Sequence, residues 1–434
     1  MDKRLGGLPD PRRPEHPDDV TYSVASVAFL GILMFACTLR ARRQVRFRLF
    51  TTFLTDLFRV LFEVEGVPHG DTMNRVLCDL PFEAVQELVC AMAETLIDKK
   101  VLYPHRLFGR SYVLAVDATG VLVYHRRHCA HCLTRTHEGQ TVYYHNVLEA
   151  KIVTPPGLVV SVMSEFIENP EDDPTRSEKE RKQDCELKAF YRLAPRLKAR
   201  FPRLPLHLAM DGLYAVGPVF AQCRRYGWTF TITLSDDQLR SVNEEFESLA
   251  KANPADRLTW RTGRDGQTRQ EFRWVNDIAY IDSQGHEHAL SVLECRDSRT
   301  DKEGLEQTTK YKWVTNVCVD ARNAVALANE GGRLRWKIEN EGFNVQKNGG
   351  YDLEHAYTHD EDGMKVYYLL LQIAHLVMQL LDRGRLLAPV FPRGLGSLRN
   401  LAWRLLEALR NATLTSEQYH DLCTRACQIR FDSS

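Results

Sequence analysis

Three acidic residues stand where the sequence permits chemistry. Asp117 and Asp211 occur in parallel settings, "VLAVDATG" and "LHLAMDGL", each closing an apolar run of strand length with an aspartate and a nearby glycine. Strand ends in α/β sheets are where ligands usually meet the protein, although Asp with Gly is also ordinary turn chemistry. The pair says more than either member: two such endings on neighbouring strands bring two carboxylates together, which is unfavourable unless a cation lies between them. Glu339 supplies a third carboxylate, in "RLRWKIENEGFNVQKNGG" (333–350). That segment reads as an amphipathic helix, with Leu334, Ile338 and Val345 on one stripe and Trp336 and Phe343 beside it. Glu339 lies at the border of the stripe, four residues after Arg335, so it is either half of a surface ion pair or a ligand reaching the sheet. Three oxygen donors suit Mg²⁺ or Mn²⁺. Two such ions about 4 Å apart can activate an attacking oxygen and stabilise a leaving one in a phosphoryl displacement. Arg335 would then orient Glu339 or hold a phosphate bidentately.

A second constellation lies in "YHRRHCAHCLTRTHEGQTVYYHNV" (124–147). Cys129 and Cys132 have the two-residue spacing of a zinc turn, and His137 and His145 could complete a tetrahedral Zn²⁺ site; the alternative is a hairpin with a polar tip. Further upstream, "TLRARRQVRFRLF" carries Arg40, Arg42, Arg43, Arg46 and Arg48 without an acid, either a solvated helix face or a phosphate-contacting surface.

The elements that must position these groups follow from periodicity. Residues 1–20 read as a proline-rich, charged, disordered tail, and 21–105 as a helical N-terminal domain for DNA binding or dimerisation. Strands are expected at 112–120, 146–154 and 157–167, then a helix from about 184 to 198, strands at 204–212 and 228–234, and a short helix between those two. Together these describe a mixed α/β sheet with helices against it (106–234). A β-rich insertion follows (235–315), then the rest of the α/β domain (316–383), with a long apolar helix at 364–381, and a helical C-terminal tail (384–434).

Bulk properties exclude little but bound the answer. Lys plus Arg equals Asp plus Glu at 57 each, so any polyanion site is a local patch. Eleven scattered cysteines without a secretory signal suit a reducing, cytoplasmic setting. The apolar run 24–39 is short for the roughly 20 residues that span a bilayer, so no membrane association is expected. The chain lacks a GxxxxGK[ST] loop, and "GLGSLRN" (394–400) lacks the third glycine of a dinucleotide loop, so no nucleotide cofactor is expected.

The order of elements, with "KQDCELKAFYRL", "LAMDGLYA", "YKWVTN" and "RWKIENEGFNVQKNGGYDLEHAY" as its most specific parts, resembles the DDE transposases of bacterial insertion sequences over roughly residues 110–380. More narrowly, it is similar to the subgroup whose insertion lies between the second aspartate and the glutamate. The resemblance implies an RNase H-like catalytic domain, with Asp117, Asp211 and Glu339 as catalytic ligands of two Mg²⁺ or Mn²⁺ ions. It also implies double-stranded DNA as partner, at element ends and target, an oligomer in the DNA complex, and association with the nucleoid when bound. The implied reaction is hydrolysis of a DNA strand at the element's end, followed by attack of the freed 3′-hydroxyl on target DNA. That subgroup carries a signature of Tyr, two residues, Arg, three, Glu, six, Lys. Arg335 and Glu339 match it, whereas Gly332 and Gln346 stand at the Tyr and Lys positions, with Lys347 next to the latter as a possible phosphate contact. Two alternatives remain at this level: a nuclease of the same fold that cleaves without joining, and a DNA-binding repressor or domesticated protein with a decayed centre.

Overall fold

Val- and Ile-rich runs after residue 110 form the strands of one mixed sheet in the computed structural model of the chain. The structure describes residues 2–12, 20–137, 139–170, 183–253, 255–263, 268–300, 306–384, 386–387, 389, 391–392, 394–413 and 415–424. The helical N-terminal region comprises α1 (Asp2–Leu5), α2 (Val24–Ala36), α3 (Arg42–Leu49), α4 (Thr52–Phe62), α5 (Gly70–Asp79) and α6 (Phe82–Asp98). The sheet is entered through β1 (Tyr112–Tyr124), β2 (Leu133–His137), β3 (Gln140–Val153) and β4 (Val159–Ile167). Then come α7 (Glu186–Arg200), β5 (Leu206–Met210), α8 (Gly217–Tyr226), β6 (Thr229–Thr233) and α9 (Arg240–Ala252). Four long-looped strands follow, β7 (Arg257–Thr262), β8 (Thr268–Ile281), β9 (Glu287–Thr300) and β10 (Glu306–Thr315).

The strand order is β2-β3-β1-β5-β6-β10-β9-β8-β7, with β4 on the other side of β3. β1 is antiparallel to β3 but parallel to β5, and β5 is parallel to β6. The expected mixed α/β architecture is therefore present. The β-rich insertion extends this sheet, because β10 pairs antiparallel with β6 at Trp313, Val314 and Thr315. Its fourth element, β7, and the hairpin partner β2 had no clear period-2 signal in the sequence.

One face of the sheet buries Leu114, Val116, Leu148, Ala150 and Ile152 under α7, α8 and α9. The other buries Val113, Ala115, Ala209, Val153 and Val159 under a helical segment that runs from α10 (Ala324–Ala326) to α11 (Asn344–Asn348). That segment is irregular, with π-helical turns at Leu327–Gly332 and Ile338–Phe343 separated by a tight 3₁₀ turn at Arg333–Arg335. Such interruptions rotate side chains relative to a regular helix and recur at functional sites. Two glycines let the segment lie close on the sheet: a Cβ at Gly331 would come 3.2 Å from His207, and one at Gly332 only 2.5 Å from Trp313.

The remaining helices are α12 (Glu361–Arg383), α13 (Leu398–Asn411) and α14 (Ser416–Thr424). The boundary expected at residue 105 does not separate two cores. α12 packs against α2, α5, α6, α13 and β4, and one apolar cluster runs from Leu5 through Phe35, Phe58 and Leu77 to Leu370 and Leu409. The reason is composition: α2 is apolar on all sides, and such a helix must be covered all round. α12 is long and apolar enough to cross a membrane, yet 89% of its apolar window is buried inside the fold. One expectation about the termini needs correction. Leu5 is buried, and Arg4 donates to the Thr95 hydroxyl, so the start is docked rather than a loose tail; residues 13–19 lie outside the described residues. The C-terminal stretch is helical in α13 and α14, and Leu401, Ala402 and Leu409 of α13 join the same core. The charged stretch 171–182 and residues 425–434 also lie outside the described residues.

Candidate functional site

Sheet register decides where the two aspartates go. β1 and β5 run parallel with Ala115 opposite Ala209, so Asp117 and Asp211 each stand two residues beyond that pair, on neighbouring strand paths about 4.8 Å apart. The period of two points both toward the face covered by the 324–348 segment. Asp211 caps the turn that follows, accepting from the Leu213 amide at 2.9 Å. Asp117 accepts from the Ala118 amide at 2.9 Å and faces Arg335, whose Nη1 donates to its Oδ2 at 2.9 Å. The same nitrogen donates to Glu339 Oε1 at 2.8 Å. Arg335 therefore makes the local i,i+4 pair and the long-range one at once, so the two sequence readings of Glu339 are not exclusive. Trp336, expected beside the buried stripe, is half exposed, with the Arg335 guanidinium 5.2 Å above its ring.

The electrostatics are those of an unsatisfied acidic cluster. Burial raises the Asp117 pKa to about 7; Arg335 opposes this, while Glu339 and Asp211 add to it by charge repulsion and Glu339 also by a hydrogen bond. A fourth carboxylate belongs to the group. Glu186, the first residue of α7, is raised by burial and by the Asp211 charge. Tyr214, which follows Asp211 by three residues, buries a hydroxyl that has no hydrogen-bond partner and feels Glu186, Asp211 and Asp117. Arg335 Nε is likewise buried without a partner. Sequence reasoning missed Glu186 and Tyr214. The available signal was that Glu186 is the single acid of an otherwise basic helix, but an acid in a first turn is ordinarily explained by the helix dipole.

The departures at Gly332 and Gln346 have physical causes. Trp313 fills the space beside Gly332 that a larger residue would need. Gln346 is fully buried and donates to Gln372 at 2.7 Å within a network that includes His375, Lys151 and the Lys151–Glu149 ion pair of 3.0 Å. Lys347 pairs with Glu354 at 2.7 Å rather than with any of the three carboxylates. In the basic run, Arg40 pairs with Asp352 and Arg42 weakly with Asp71, while Arg43, Arg46 and Arg48 are exposed and have no ion-pair partner among the described residues.

A His/Cys cluster that can hold a metal ion is present, with one member changed. His128, Cys129, Cys132 and His145 bring four ligand atoms within 4.8 Å of one another. Among the described residues this is the set of donors drawn together so tightly, and the carboxylate site with Arg335 across it is looser. Cys129 and Cys132 sulfurs are 3.4 Å apart, and each lies 3.4 Å from His145 Nε2. His137 is not in the set, because β2 carries it away: it pairs with Gln140 at the hairpin end, about 13 Å along the strand from Leu133 at 3.3 Å per residue. His145 is brought in by register, lying opposite Leu122 of β1 and next to Tyr144, the partner of Leu133. His128 comes from the turn after β1 and stacks on Tyr124 at 4.6 Å. Burial, then the His128 charge, holds the His145 pKa down at about 4, leaving a neutral imidazole suited to ligation.

No protein-family model matches this chain, and no curated protein matches it.

Proposed function

We propose that this protein is a DDE transposase that cleaves and joins DNA at the ends of an insertion sequence. One observation carries the reading: Asp117, which lies inside β1 rather than closing a strand as expected, and Asp211, which directly follows β5, both stand just past the parallel β1–β5 pairing in register, and Glu339 reaches Asp117 through Arg335 from the helix laid across the same face. The strand path β4-β3-β1-β5-β6, three antiparallel strands followed by two parallel ones, supports an RNase H-like catalytic domain for residues 106–234 and 316–383.

The donor set fits a hard divalent cation. It is all oxygen and partly open at Glu339, and burial, with a lesser part from repulsion by Glu339 and Asp211, raises the Asp117 pKa, a penalty of the kind that a bound cation relieves. Asp117, Asp211 and Glu339 would hold Mg²⁺ or Mn²⁺, which when bound supplies Lewis-acid stabilisation of charge on the phosphate oxygens. The chain's own groups orient. Arg335 fixes the separation of Asp117 and Glu339, the turn capped by Asp211 fixes its carboxylate, and the low exposure of Asp117 and Arg335 limits water. In the reaction a water oxygen bonds to phosphorus at the element's end and the strand's oxygen leaves, freeing a 3′-hydroxyl. That hydroxyl then bonds to a target phosphorus as the target strand's oxygen departs. Positioning and charge suffice for both displacements, with no covalent protein intermediate. The exposed arginines of α3 would add phosphate contacts, and the His/Cys cluster would hold a structural Zn²⁺.

The test is Mg²⁺-dependent cleavage and strand transfer on a plasmid carrying the gene with its native flanks. Glu339→Gln and Asp117→Asn should each abolish both products while DNA retention in a mobility shift persists. Wild-type-like cleavage by either variant would remove the assignment, and cleavage without joined product would leave only a nuclease.

A further inference from the structure

Hydrogen bonds lead from the His/Cys cluster to the start of α7, which packs against the turn of the carboxylate site. Asn169, just beyond β4, donates through Nδ2 to the Cys132 carbonyl at 2.8 Å and through its amide to the His131 carbonyl at 3.1 Å. Its side-chain oxygen accepts the Asp184 amide at 3.0 Å. Asp184, itself buried, accepts from the Cys185 amide at 2.9 Å and from Arg192 of α7 at 2.7 Å. The next residue is Glu186, where α7 begins and where the charge of Asp211 is felt. One turn further on, Phe190 packs edge-on against Tyr214 with ring centres 5.5 Å apart, in the turn that Asp211 caps.

The donor geometry suits a closed site. A tetrahedral Zn²⁺ with bonds of about 2.3 Å to sulfur and 2.0–2.1 Å to nitrogen sets ligand separations of roughly 3.8 Å and 3.6 Å, close to the 3.4 Å contacts here. Nδ1 of His128 and of His145 is buried with no hydrogen-bond partner among the described residues, and His145 turns its other nitrogen, Nε2, to the two sulfurs. Four protein ligands leave no open position for substrate, which makes such an ion a structural one.

We propose that the metal held by His128, Cys129, Cys132 and His145 is a positioning device for the carboxylate site: by fixing the Cys132 carbonyl it fixes Asn169 and Asp184, and so sets where α7 starts and how Glu186 faces Asp211. This rests on the structural-zinc reading of the cluster. The coupling runs through hydrogen bonds from the Cys132 carbonyl to the Cys185 amide and then along the chain into α7, and among the described residues Asn169 is the side chain that joins the Cys132 carbonyl to the Asp184 amide, with Gln183 tying Thr134 beside it.

The experiment uses the full-length protein without an affinity tag. Elemental analysis should find one zinc per chain. Cys132→Ser should lose the zinc, and hydrogen exchange should show the amides of 184–190 speeding by about tenfold or more beyond any change at the amides of α9. Asn169→Ala, which alters no ligand, should retain zinc and speed exchange over 184–190 alone. It keeps the test decisive if Cys132→Ser does not fold. Absence of zinc from the wild type would overturn the cluster reading and this inference with it. Zinc present, with 184–190 unchanged in Asn169→Ala, would overturn the coupling and leave the zinc reading standing.

Discussion

Arg335 reaches Asp117 across 218 positions of chain, whereas Cys129 and His145 are 16 apart. The first site assembles only after the sheet has registered β1 against β5 and the 324–348 segment has docked over both. The second needs little more than one hairpin. Their chemistry differs in the same sense. The carboxylate site offers hard oxygen donors that repel one another, with a cationic side chain lodged between two of them. The His/Cys cluster offers soft sulfur and imidazole donors in a closed set, with Cys132 and His145 buried and His128 and Cys129 half-buried.

Substitutions should separate the two roles sharply. The largest effect is expected for Asp211→Asn, which keeps a good capping oxygen for the Leu213 amide and so should melt like the wild type while losing Mg²⁺-dependent cleavage altogether. A large drop in melting temperature would mean that Asp211 is structural. Cys132→Ser should show the opposite pattern in stability, a loss of about 4 kcal/mol or more on metal release, measured by denaturant titration. Stability equal to wild type would break the contrast from the other side.

Docking of the 324–348 segment can be probed alone. Gly332→Ala puts a methyl 2.5 Å from Trp313, and the overpacking should cost about 1–3 kcal/mol while zinc content stays unchanged. Zinc loss in that variant would show that the two regions are not separable in this way. A smaller effect concerns pH. Asp117 has a folded pKa near 7 against 3.8 when unperturbed, so between about pH 4 and 7 the native chain holds a proton that the unfolded chain has released. Stability from this group is therefore present at low pH and is lost as pH rises through 7. Asp117→Asn escapes that loss, and its melting temperature relative to wild type should climb by about 1–3 °C between pH 5 and pH 8. A flat difference would mean that Arg335 neutralises Asp117 fully. The smallest effect is expected on α3: replacing Arg43, Arg46 and Arg48 by Gln should lower the salt slope of DNA binding by up to about 3, with cleavage chemistry intact.

The candidate site was partly legible because some of its signals are local. A strand's apolar run and its Asp-Gly ending are written within eight or nine residues, which is why Asp117 and Asp211 stood out, and Cys129 with Cys132 announced a turn. The identity of the fourth ligand was not local. His137 and His128 are equally plausible by spacing, and only the direction of β2 away from the cluster distinguishes them. Glu186 was invisible for a related reason: Asp211, whose charge it feels, lies on a different element, and nothing in either local pattern says that the two meet. The boundary expected at residue 105 does not separate two cores because an apolar helix advertises that it will be buried but not by what, and α2 packs on α12.

By itself the sequence determined where most of the core strands and helices lie, which helices are amphipathic, and which residue types can ligate a cation, since these follow from side-chain period and backbone preference; strand ends, such as that of β1 beyond Asp117, it did not fix. Tertiary structure alone decided which of those elements became neighbours. Register placed Asp117 beside Asp211, two glycines let Arg335 descend between Asp117 and Glu339, and hairpin direction selected His128 over His137. Contacts between residues far apart in the chain depend on how whole surfaces pack, and no short window of sequence contains that information.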